Sequence, residues 1–108
     1  MTTFFGVSGK ELYIKDLSWR FLSEFILDKC ANVIREDEKQ AWQEMEGKII
    51  SKETAVAIAG QLERLIQQGV VESFRTELEF ENLGQHFTEE TLRKFIQFCR
   101  VSNGFDIW

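Results

Sequence analysis

Proline is absent from all 108 residues, histidine occurs once and cysteine twice. Average usage would place about five prolines in a chain of this length, so helix and loop boundaries must be read from glycines and capping residues. One histidine, His86, leaves little room for nucleophilic catalysis, because a Ser or Cys nucleophile usually takes its base from histidine. His86 stands just before a helix start, where a polar residue is ordinary. Cys30 and Cys99 lie 69 positions apart in apolar helical patterns. With one histidine they do not make a zinc site, which needs four close ligands. They read as buried free thiols of a reducing compartment. A basic excess is also missing. Thirteen Lys and Arg stand against 18 Asp and Glu, for a net charge of −5, and no basic stripe offers to neutralise phosphates, so nucleic acid is not an expected partner. No apolar run exceeds a few residues, so no segment reads as a membrane span. The opening Met1-Thr2-Thr3-Phe4-Phe5-Gly6 shows no secretory leader. The expectation is a soluble, cytoplasmic protein with no cofactor and no metal.

What is present is apolar and aromatic. Hydrophobic residues make up 44% and aromatics 13%, with ten Phe and three Trp. That is too hydrophobic for disorder. A single domain over 1–108 follows from length, and a chain of this size buries roughly 65% of its unfolded surface.

The pattern predicts a mostly α fold with minor β, three main helices around one core. Residues 4–15 read as short extended pieces: Phe4, Phe5 and Val7, a turn at Ser8-Gly9-Lys10, then Leu12, Tyr13 and Ile14, which together make a small hairpin plausible. A first helix is expected from Ser18 as N-cap, with Leu17 and Leu22 as a hydrophobic staple and a stripe of Leu22, Phe25, Ile26, Cys30, Val33 and Ile34, ending at Asn32 or running on toward Arg35. Residues 35–48 are ambiguous. Ala41, Trp42 and Met45 could line a helical turn ended by Gly47, or a loop could carry Trp42 to the core edge. A second helix, 51–73, is capped by Ser51 and carries a stripe from Ala55 to Val70, with fraying expected at Gly69. Residues 74–81 alternate Phe74, Thr76, Leu78 and Phe80 with charged residues, which predicts a half-buried strand, with a loop as the alternative. A third helix runs from Thr88, with Phe87 and Leu92 as a second staple, and stops at Asn103-Gly104.

Gly6-Val7-Ser8-Gly9-Lys10 has the look of a phosphate loop but fails on two positions. Phe4 stands where the first Gly is needed, and Glu11 stands where the Mg²⁺-binding hydroxyl is needed. Carboxylates are the abundant reactive groups. Glu36, Asp37 and Glu38 form one run, and Glu77, Glu79 and Glu81 form another whose side chains would share a face if 74–81 were a strand. Such a face could hold a hard cation, raise its own carboxylate pKa values for acid–base work, meet a partner, or simply be the charged outside of an edge strand. Trp19 and Trp42 read as core or core-edge anchors, and as interface hot spots if exposed. The closing Phe105, Ile107 and Trp108 could dock on their own core or on another chain.

The segment Phe95-Ile96-Gln97-Phe98-Cys99-Arg100-Val101-Ser102-Asn103-Gly104-Phe105-Asp106-Ile107-Trp108 resembles the end of a group of small uncharacterised bacterial proteins, which close on a Phe-rich helix, a Gly turn and an aromatic tail. The helix holding Trp19 and the Ser51 to Leu62 stretch are similar as well. The resemblance brings no catalytic or binding residues with it. In size and charge alone the chain is also similar to bacterial toxin-immunity proteins, which act by binding a toxin.

The expected function is therefore a non-enzymatic protein-binding or accessory role. Its candidate partner surface is Glu36, Asp37, Glu38, Glu77, Glu79, Glu81, Trp42 and Trp108, facing a basic protein or a second copy. The alternative is a small ligand binder or enzyme working through carboxylates such as Glu77 and Glu79, which would need a pocket of about 300 Å³ or more beside them.

Overall fold

In the computed structural model, which describes residues 1–44 and 49–108, Thr2 to Ile14 fold into a hairpin. Strand β1 (Thr2–Gly6) pairs antiparallel with β2 (Glu11–Ile14). Gly9 makes the turn at φ 92°, a left-handed conformation that glycine adopts without a Cβ penalty. Helix α1 (Asp16–Lys29) then buries Trp19, Phe21, Leu22, Phe25 and Ile26. It starts two residues before the expected Ser18 cap. Lys15 is the cap residue and its side chain makes no capping bond, while Leu17 lies inside the helix and partly exposed, so the first staple does not form.

Two short 3₁₀ turns, Ala31–Val33 and Glu36–Glu38, lead into α2 (Lys39–Glu44). The expected roles of Met45 and Gly47 lie outside the described residues. After β3 (Ile49–Ile50), Ser51 caps α3 (Lys52–Gln67), its hydroxyl accepting from the Thr54 N–H at 3.2 Å. Thr88 caps α5 (Glu89–Val101) in the same way through the Thr91 N–H at 3.2 Å, and Phe87 and Leu92 are both buried.

The region between differs from the sequence reading. The helix expected over 51–73 breaks at Gly69, which takes φ 77° and separates α3 from α4 (Val70–Glu79). The strand expected over 74–81 is therefore helix. Phe74 and Leu78 fit both periods, because four residues is two strand repeats and about one helical turn. Val71 decides between them: it is buried, three residues before Phe74, while Thr76 and Phe80 are exposed. Phe74 packs against Phe25 and Phe87, with ring centroids at 5.2 and 4.8 Å.

The chain ends in β4 (Phe105–Ile107), which inserts between β1 and β3 to give the antiparallel order β2-β1-β4-β3. The tail thus docks in its own chain. Gly104, at φ 96°, makes the turn from α5 into β4, and a Cβ there would fall 2.7 Å from the Ile50 carbonyl oxygen.

The result is mostly α with a small four-stranded sheet. The helices cover one face of it: Phe4, Ile14, Ile50, Phe105 and Ile107 point inward and join Trp19, Phe95 and Phe98 in one core. Among the described residues no helix is long and apolar enough to cross a membrane.

Candidate functional site: the open face of the sheet

Adjacent residues of a strand point to opposite faces. Phe4 is buried, so Phe5 must face the other way, and it is 42% exposed. The register extends this across the sheet. One row on the open face runs Tyr13, Thr3, Trp108, since Tyr13 pairs with Thr3 and the Trp108 N–H donates to the Thr3 carbonyl at 2.7 Å. The next row runs Glu11, Phe5, Asp106, Ile49. Tyr13, Ile49 and Trp108 are 56%, 66% and 59% exposed. A small two-layer fold leaves this face uncovered, and it is aromatic.

Its polar groups are arranged around Phe5. Glu11 and Asp106 flank it at about one strand spacing on each side, roughly 5 Å between backbones. Each carboxylate takes a hydrogen bond from an aromatic two residues along its own strand. The Tyr13 hydroxyl donates to Glu11, and the Trp108 indole Nε1–H donates to Asp106 at 2.9 Å. The Glu11 carboxylate, as acceptor and as a nearby negative charge, pushes the Tyr13 hydroxyl pKa up. Among the described residues no strand position is basic, and the charges paired beside Phe5 are the carboxylates of Glu11 and Asp106.

Of the residues singled out from sequence, Trp108 lies on this face. Trp42 does not, and its place in a partner surface is corrected. It is 2% exposed, stacked on Trp19 at 5.7 Å and edge-on to Phe95 and Phe105. Its indole N–H is buried without a partner among the described residues. Glu38 is corrected for the same reason. Its buried carboxylate accepts from the Ser51 N–H at 3.3 Å and the Thr54 hydroxyl at 3.2 Å, tying the second 3₁₀ turn to the start of α3.

Glu36 and Asp37 are exposed, and Lys39 and Arg35 answer them at 2.9 and 3.1 Å. Glu77, Glu79 and Glu81 are exposed as well, but the shared face disappears with the strand. At 100° per residue, Glu79 points away from Glu77 while Glu81, just past the helix end, comes back toward it. Glu79 instead lies over Gly84, where any side chain would occupy the space of its carboxyl group.

Two concavities bear on ligand binding. A groove of about 700 Å³ runs between β2 and α5, with Leu12, Phe98 and Val101 in its lining. A cleft of about 480 Å³ beside it is lined in part by Tyr13, Lys15, Ser18, His86, Thr91 and Lys94. Neither includes Glu77 or Glu79.

Sequence reasoning missed Phe5, Tyr13, Ile49, Glu11 and Asp106. The signal for the first was present: in a strand of a sheet covered on one face, two consecutive Phe cannot both be core. No protein-family model matches the chain, and neither a curated protein nor a solved structure shows a significant match to it.

Proposed function

We propose that this protein is a non-enzymatic binding module whose open sheet face takes a basic protein partner. One observation carries the reading: an aromatic surface on which two carboxylates bracket an exposed Phe5. An Arg or Lys of the partner set over Phe5 gains the ring's quadrupole and reaches both carboxylates, while apolar partner residues cover Tyr13, Ile49 and Trp108. Nucleic acid fits poorly, because phosphates would meet Glu11 and Asp106. An immunity or inhibitor role is one version of this function. A cytoplasmic setting belongs to the same proposal and is supported by Cys30 and Cys99 being buried free thiols.

The acidic runs contribute less than the sequence implied, since the first is largely neutralised by neighbours. The test is affinity capture of the tagged protein from native lysate at low and high salt, with mass spectrometry of what is retained. The expected result is a basic protein that is held at low salt, released at high salt, and lost from a Phe5→Ser/Trp108→Ser variant but not from Glu77→Lys/Glu79→Lys. Retention by the first variant, or loss with the second, would overturn the assignment to this face.

A further inference from the structure

Strand β2 is an edge of the sheet, and its free side is complementary to itself. The Gly6 N–H donates to the Lys10 carbonyl at 2.7 Å. The alternation of an antiparallel ladder then makes Phe4/Leu12 and Thr2/Ile14 the hydrogen-bonded pairs. Thr3 and Val7 confirm the phase from the other side, bonding Trp108 and Gly104 of the β4 side. Glu11 and Tyr13 therefore turn their N–H and C=O groups outward, and among the described residues nothing meets them. An open row of this kind is a template for another strand.

We propose that this edge pairs with β2 of a second copy, antiparallel, about a two-fold axis at Tyr13. In that register Tyr13 faces Tyr13 with both backbone hydrogen bonds exchanged. Glu11 faces Lys15 of the second copy, the extended cap residue of α1 just past β2, so that the Lys15 side chain and not its helix-bonded carbonyl meets Glu11, and the same holds in reverse. On the helix side Leu12 faces Ile14. Side chains keep their faces only if the paired residue numbers sum to an even value. Shifting two residues one way sets Lys10 against Ile14, and the other way sets Leu12 against Asp16. Both shifts lose the two Glu–Lys pairs. Charge thus selects a second copy as occupant and selects one register.

The groove between β2 and α5 follows the same strand. Its apolar lining, Leu12, Phe98 and Val101, would be covered by the helix side of the second copy. Lys15 has no ion pair in the single chain among the described residues, and the pairing gives it one. The two open faces would lie side by side in one eight-stranded sheet. The inference shares Glu11 with the basic-partner reading but is tested without it, because the purified chain alone decides it.

Sedimentation velocity and light scattering on the purified protein, from about 1 to 100 µM, should show a dimer that weakens with salt. Glu11→Lys sets like charges opposite each other at both ends and should raise the dimer dissociation constant by about tenfold or more. Lys15→Glu should do the same, and the Glu11→Lys/Lys15→Glu double variant should restore the dimer. Circular dichroism confirms that each variant is folded. Phe5→Ser/Trp108→Ser should remain dimeric even where it loses a captured partner. A wild-type monomer at 100 µM, a dimer indifferent to the single reversals, or a folded double variant that stays monomeric would each overturn the proposal.

Discussion

Glu36, Asp37 and Glu38 are three consecutive acids with two different fates. The first two are solvated and paired with neighbours in high dielectric, where an ion pair contributes little. Glu38 is the terminal anchor of a buried hydrogen-bonded junction. Its carboxylate sits at the N-terminal end of α3, where it receives the Ser51 N–H and the Thr54 hydroxyl. Truncating it leaves both donors without their acceptor. Glu38→Ala should cost about 1–3 kcal/mol of folding stability, while Glu36→Ala and Asp37→Ala should stay within about 0.5 kcal/mol. Urea midpoints at constant m-value would read the difference. Trp42 illustrates the same divide for an aromatic: its ring stacks in the core beside Trp19, and Trp108, the other tryptophan considered for a partner, remains at the surface.

At the scale of elements, three glycines separate by what surrounds them. Gly60 lies inside α3 with no atom within 4 Å of an added Cβ, so Gly60→Ala should stabilise by about 0.5–1 kcal/mol through helix propensity alone. Gly69 also has open space, but it sits at φ 77°, and Gly69→Ala should destabilise by about 1–2 kcal/mol through the left-handed backbone. Gly104 combines φ 96° with a Cβ clash against the Ile50 carbonyl, so Gly104→Ala should be the most damaging of the three. Thermal melts should rank them in that order. The strand that follows Gly104 is central, pairing with β1 and β3. Removing residues 105–108 takes away Phe105 and Ile107, both fully buried, and opens two edges at once. Loss of near-UV circular dichroism and of a cooperative transition is expected for that truncation.

For the whole molecule, the titrating groups set a stability plateau with two edges. Hydrogen bonds from the chain's amino group and the Thr2 hydroxyl hold Asp16 below the usual carboxylate range, and Arg100 and Arg75 do so for Glu63 and Glu72. A depressed folded pKa contributes stability that is fully present above the unfolded value, near 4, and is lost as pH falls through the folded one. These groups are exposed, so the acid edge should be shallow and weakened by salt. The alkaline edge comes from the thiols. Burial pushes Cys30 from 9.0 to about 12 and raises Cys99 as well. A raised folded pKa contributes stability that is present below the unfolded value and lost as pH rises between about 9 and 12. Denaturation midpoints should therefore be level from about pH 5 to 8.5 and fall on both sides. Both thiols should resist a thiol reagent at neutral pH in the native state and react in full once the chain is unfolded.

The sequence by itself determined the mostly helical class, the stripes of α3 and α5, that of α1 as far as Ile26 (the helix ends at Lys29, before the expected Val33 and Ile34), the Ser51 and Thr88 caps and the hairpin turn at Gly9. Each of these is a local property, fixed by the spacing of apolar residues or by one side chain reaching a backbone N–H a turn away. Only the tertiary structure decided the rest. Phe74 and Leu78 satisfy two periods at once, and burial of Val71 against the core chose helix. Glu36 and Glu38 are the same residue type two positions apart, and only the approach of Ser51 and Thr54 made one of them structural. The open face is the clearest case. Phe5, Asp106, Tyr13 and Trp108 come from the two ends of the chain, and they share a surface because β4 inserts beside β1. That pairing joins residues about a hundred positions apart, and no local pattern in the chain encodes it.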